Sequence, residues 1–255
     1  MTVALAALAV FVGAALQSAT GFGYALVAAP ILFALLGPQQ AVTAGVLLGL
    51  LLNLLTLATE RRRPAVLGRD ATALVGWSLP GLVLGALALR ELPERPLSVF
   101  VALAVLTGLG LRLRAGGVDR PRPAARTGEP ATPRPRARSW QRPAAGLASG
   151  ALATSTSLSG PPLVFYMLAR GAAPAALRDT LAAVFVAQAL IGLPVLLASG
   201  AFTVPDGVWA LLGAGLAGQV LGRRAFAWLR GARYEHAVLA VLAASALVAL
   251  GASVI

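Results

Sequence analysis

Two short stretches hold the residues that could do chemistry. One is QSATGFGYALVAAP, residues 17–30; the other is TSTSLSGPP, residues 154–162. Each sets hydroxyls, glycines and proline inside an otherwise apolar run. Ser18, Thr20, Thr154, Ser155, Thr156, Ser157 and Ser159 offer neutral hydrogen-bond donors. Gly21, Gly23 and Gly160 let backbone N–H groups approach a ligand closely. A new helix should begin near Gly23 and Tyr24, and another after Ser159 or Gly160, with Pro161 or Pro162 in its first turn. A helix N-terminus exposes N–H donors and a partial positive charge, which suits an anion. The competing explanation is structural: small residues let helices pack, and Ser/Thr hydroxyls bond their own backbone.

Other chemistries lack their residues. There is no cysteine, which excludes disulfides, thiolate catalysis and Cys-ligated metal. No Gly-x-x-x-x-Gly-Lys-Ser/Thr loop is present, so no P-loop ATPase is encoded. No Cys/His cluster offers a metal site. The serines at 155–159 have no intramembrane histidine or lysine base, so a membrane serine protease fails as well. The expectation is a protein that is not an enzyme, with no cofactor and no metal. No carboxylate sits in the middle of an apolar block, which argues against proton coupling through Asp or Glu.

The elements that position the two stretches are read from hydropathy. The chain has 255 residues, 58% of them hydrophobic. The apolar residues come in blocks of about 15–25, the length that crosses a bilayer core. The first half holds 3–36, 40–59, 71–90 and 96–113; the second holds 144–170, 176–199, 207–229 and 234–254. Between them, residues 114–143 are rich in Arg and Pro and cannot bury enough to fold. The fold class is therefore an all-α polytopic membrane protein of about eight hydrophobic segments. Its parts are a first transmembrane repeat (1–113), a linker (114–143) and a second repeat (144–255). The opening MTVALAALAV lacks the basic region of a cleaved signal peptide.

The halves match in register. Thr20 and Thr156 are 136 positions apart, as are Asp70 and Asp206. Gly81 and Gly85 precede Gly218 and Gly222 by 137 positions, and both pairs read Gly-x-x-x-Gly. Charge sets the topology. The net charge of +12 is carried by arginines clustered between apolar blocks, where the positive-inside rule places them, and this argues against nucleic acid as a partner. Residues 60–70, 112–142 and 223–233 should be cytoplasmic. Block 144–170 then enters and leaves by the same face. At about 40 Å as one helix it is too long for one straight span and too short for two. It reads as a re-entrant hairpin, and 3–36 as its mate entered from outside. Each repeat is then a broken hairpin plus three crossings, and the two repeats are inverted.

With these residues in view, QSATGFGYALVAAPILFALLGPQQAV, SGALATSTSLSGPPLVFYMLARG and LRDT together resemble the sulfite exporter TauE/SafE family. The resemblance covers essentially the whole chain outside the linker. It implies a carrier of the bacterial inner membrane that exports a small sulfur-containing anion such as sulfite, a sulfonate or an organosulfur carboxylate. An anion channel, or an uptake carrier for another small organic anion, is the alternative. The expected partners are that small anion and the lipid bilayer, with a second copy of the chain as a candidate. The substrate should contact Thr20, Gly21, Gly23, Thr156, Ser157, Ser159 and Gly160. Arg178 either attracts the anion from the cytoplasm or anchors the topology. Gln17, Asn53 and Gln188 lie within apolar blocks, as path-lining or interhelical groups. Asp70 and Asp206 are expected to cap the helices they open, and His236 to sit at the interface.

Overall fold

A computed structural model describes residues 1–20, 23–59, 64–93, 97 and 139–228, with side chains at all of these except 19, 20, 174 and 225–228. The blocks at 96–113 and 234–254, the linker up to 138, Gly21, the Thr20 side chain and His236 lie outside the described residues, apart from Leu97.

Among the described residues there are eight helices and no strand. They are α1 (Thr2–Thr20), α2 (Tyr24–Leu36), α3 (Pro38–Thr59), α4 (Gly68–Glu91), α5 (Gln141–Thr156), α6 (Gly160–Ala169), α7 (Pro174–Ser199) and α8 (Val208–Trp228). Three are long and apolar enough to cross a membrane: Pro38–Thr59, Gly68–Glu91 and Ala175–Ser199.

Both polar stretches break the helices that hold them. Gly23, at φ 123°, precedes α2 in a backbone conformation that strains any side chain. A methyl group on Gly13, in the middle of α1, would lie 2.8 Å from Tyr24 O, so α2 starts beside α1 and does not continue it. At the second break Ser157 takes φ 56°, and its N–H and that of Leu158 (at 3.2 Å) both turn back to Leu152 O, closing α5. Ser149, seven residues before the end of α5, donates its hydroxyl to Ser159 O at 2.9 Å. α6 therefore also starts beside the middle of the helix before it.

The hairpins are held by helices from the other half of the chain. Gly81 and Gly85 of α4 lie against Leu147, Ala151 and Thr154 of α5. Gly218 and Gly222 of α8 lie against Phe11, Ala15 and Ser18 of α1. Phe11, Ala15 and Ser18 precede Leu147, Ala151 and Thr154 by 136 positions, so the same contact is made twice at the offset between the halves. The loops follow suit. Thr43 Oγ1 of α3 accepts the Thr203 N–H at 3.1 Å, ahead of α8. Asp179 Oδ2 of α7, 136 positions after Thr43, accepts the Ala65 N–H at 2.6 Å, ahead of α4. Thr180 Oγ1 accepts the Leu67 N–H at 3.0 Å.

Asp70 does not cap α4. Leu67 holds the cap position without a side-chain bond, and Asp70 lies in the first turn. Its buried carboxylate accepts the Tyr166 hydroxyl at 2.7 Å and Arg170 Nη2 at 2.9 Å. Arg142 Nη2 stands 3.5 Å away and donates from Nε to the Tyr166 hydroxyl at 3.0 Å. A carboxylate withdrawn from water needs charge partners, and two guanidiniums answer that need better than its own backbone. Asp206 lies in an exposed turn before α8.

Candidate functional site

The two hairpin turns lean on the same helix. Ser157 packs on α3 at Gly45, where a methyl group would come within 2.6 Å of Ser157 Cβ. Gln17, in the last turn of α1, donates through Nε2 to Asn53 Oδ1 of α3 at 3.3 Å. Gly45 and Asn53 are about 12 Å apart along the axis. Each returning helix starts about 10 Å short of its turn, opposite Gly13 in α1 and opposite Ser149 in α5. The N-termini of α2 and α6 are thus withdrawn into the helical body.

Neither N-terminus is capped by a side chain. Gly23 and Ser159 hold the cap positions, as the spacing anticipates. In α6, Pro161 and Pro162 have no N–H, so Gly160 carries the leading backbone donor. A methyl group on Gly160 would meet only Phe185 Cζ of α7, at 3.8 Å.

The hydroxyls divide into engaged and free. Ser18 donates to Ala15 O at 2.6 Å, Ser155 to Ala151 O at 2.7 Å and Thr156 to Leu152 O at 2.9 Å. Thr154 donates to Leu82 O of α4 at 2.7 Å. These four protons are given to backbone, as the structural explanation has it. Ser157 differs: its Oγ is buried without a partner. So is the Tyr24 hydroxyl at the start of α2, on a side chain only 2% exposed. Orphaned buried polar atoms are rare in folded proteins, and here one stands at each break.

Arg178 is not brought to the hairpin turn. Phe185 is the α7 residue facing Gly160, and Arg178 lies about 10 Å earlier along the helix, half-buried beside Asp179. Gln188 bonds Ser149 Oγ at 2.9 Å, so it and the Gln17–Asn53 pair act as interhelical ties.

Several contributors escaped the sequence reading. Tyr24 was seen only as the start of a helix. Ser149, Thr56 and Gln219 were not singled out, although Gln219 stands between Gly218 and Gly222 in an apolar block, the same signal that marked Gln188.

No curated protein and no solved structure matches the chain. A protein-family model does, from residue 5 to residue 249, nearly end to end. Apolar helices of spanning length and helices broken at two glycine- and hydroxyl-bearing stretches thus accompany a match over almost the whole sequence, and the chain belongs to the sulfite exporter TauE/SafE family, membrane transporters of sulfite or related anions.

Proposed function

We propose that this protein is a carrier that exports a small sulfur-containing anion across a bacterial inner membrane by alternating access. The carrying observation is the pair of uncapped helix N-termini, at α2 and α6, together with an orphaned buried hydroxyl on Tyr24, the residue that opens α2, and another on Ser157, in the turn that leads to α6. Each N-terminus supplies about half a positive charge, enough to hold an anion without trapping it. The substrate sits between them, against the backbone at Gly21, Gly23 and Gly160 and the hydroxyls of Thr20, Ser157 and Ser159. Thr156 joins only by turning its hydroxyl away from Leu152 O. Arg178 acts earlier, drawing anions from the cytoplasm.

The two halves form inverted repeats, each a re-entrant hairpin and three crossings. The contacts that recur at offsets of 136 and 137 support this, because each joins a hairpin of one half to a helix of the other. The arginine-rich loops face the cytoplasm. The membrane potential then favours efflux, at about 2.3 kcal/mol per charge per 100 mV.

The test is flux in lipid vesicles containing purified protein, with sulfite, sulfonates and carboxylates offered singly. The reading expects saturable sulfur-anion flux with counterflow. Non-saturating flux without counterflow would make the protein a channel. No flux of any sulfur anion would remove the assigned substrate class.

A further inference from the structure

Ser149 lies in the middle of α5 and is fully buried. A hydroxyl inside a helix commonly bonds the carbonyl one turn back. Ser155 and Thr156 of the same helix do so, to Ala151 O and Leu152 O. Ser149 instead donates out of its helix, to Ser159 O at 2.9 Å. Its Oγ accepts from Nε2 of Gln188, a buried residue of α7, also at 2.9 Å. A hydroxyl has one proton, and Gln188 Oε1, at 3.3 Å, is the farther acceptor, so the proton goes to Ser159 O. The three groups form one relay, from Gln188 Nε2 through Ser149 Oγ to the Ser159 carbonyl.

That carbonyl belongs to the peptide whose nitrogen is Gly160 N. In a trans peptide the C=O and N–H point in opposite directions. Holding the Ser159 C=O toward α5 therefore turns the Gly160 N–H away from α5. Gly160 opens α6, so its N–H has no partner within the helix. Among the described residues no side chain caps it and no backbone carbonyl takes it. Pro161 and Pro162 bring no N–H, so this one peptide decides where the first backbone donor of α6 points. The relay also adds polarity. A hydroxyl that accepts a hydrogen bond donates a stronger one, and the amide, hydroxyl and peptide dipoles run head to tail toward the N–H. The first hairpin has no such relay: Gly13 and Leu52 stand 136 positions before Ser149 and Gln188, and neither has a polar side chain.

We infer that Ser149 and Gln188 are positioning residues for the anion. They hold the Ser159–Gly160 peptide so that the Gly160 N–H is an oriented, polarised donor, and they make α6, rather than α2, the N-terminus that fixes where the anion rests. The inference rests on the carrier reading above and deepens it.

The experiment uses the purified full chain. Sulfite and methanesulfonate are titrated into wild type and Ser149→Ala, with folding checked by the unfolding midpoint. Removing the hydroxyl should weaken anion binding about fivefold, within the worth of one hydrogen bond. Ser149→Cys, close in shape and a weak donor, serves if the alanine variant does not fold. A spectroscopic reading separates positioning from mere support. In protein labelled with nitrogen-15 at glycine, the Gly160 amide is identified by its absence from Gly160→Ala. Its proton should move downfield when the anion binds wild type, and move less in Ser149→Ala. Unchanged affinity in a folded variant overturns the inference. So does a weakened affinity with the wild-type Gly160 response, which would make Ser149 only a tie between helices. Failure of wild type to bind either anion instead overturns the carrier reading beneath it.

Discussion

Gly85→Ala and Gly222→Ala should be strongly destabilising, whereas Gly213→Ala should not. A methyl group on Gly85 would lie 2.9 Å from the carbonyl carbon of Ala151 and nearer still to its oxygen. On Gly222 it would lie 2.6 Å from Ala15 Cα and 2.8 Å from Ala15 O. Ordinary contact begins at 3.4 Å, so each site is short by roughly half an ångström or more. The obstacle is backbone in both cases, so no side chain can turn aside and the helices must separate. Overpacking of this kind costs about 1–3 kcal/mol per site. A methyl on Gly213 meets nothing within 4 Å, and alanine there gains about 0.5–1 kcal/mol from helix propensity. The two classes should therefore differ by about 1.5–4 kcal/mol. Unfolding midpoints of the purified variants in one detergent, ranked against wild type, read this directly. Gly85→Ala or Gly222→Ala as stable as Gly213→Ala would refute close packing between hairpins and their partner helices.

Ser157→Gly should stabilise the fold by about 1 kcal/mol, read as a raised unfolding midpoint, because it relieves the positive φ, and should still weaken anion binding through loss of the hydroxyl. Asp70→Asn should cost about 1 kcal/mol, since Arg142 and Arg170 are 41% and 42% exposed and their ion pairs are screened; Asp70→Leu, which also orphans the Tyr166 hydroxyl, should cost about twice that in the same unfolding assay. With no native cysteine, single Thr2→Cys and Ser139→Cys variants report topology. Membrane-impermeant labelling of intact cells should reach position 2 and not 139, and the reverse would sink the inverted arrangement.

The breaks were legible because glycine, hydroxyls and proline interrupt an apolar run, and few other causes place them there. The Gly-x-x-x-Gly pairs were legible because close helix approach has one common sequence form. Asp70 was misread because an acid at the start of a helix usually serves the local backbone; its partners Tyr166 and Arg170 lie 96 and 100 positions away. Asp179 was passed over in favour of Arg178. Its bond to the Ala65 N–H spans 114 positions, and only the loop's return across α7 creates it. Among the hydroxyls the sequence could not separate engaged from free. Ser157 and Thr156 are neighbours of similar type, yet the left-handed turn at Ser157 turns its hydroxyl away from the helix, while Thr156 bonds Leu152 O.

In the proposed site the anion rests on the N-terminus of α6, opposite that of α2. Sulfite binding to purified protein, by titration calorimetry, tests it on wild type, Ser157→Ala and Gly160→Val. Position 160 has room for a side chain, with Phe185 Cζ the nearest atom at 3.8 Å, so the valine variant should fold. Ser157→Ala should lose about 0.5–1.5 kcal/mol, the worth of one hydrogen bond, and Gly160→Val at least tenfold in affinity, because its side chain keeps the anion off the backbone. Wild-type affinity in both variants, each shown to be folded, would contradict it and leave the two breaks as a packing device.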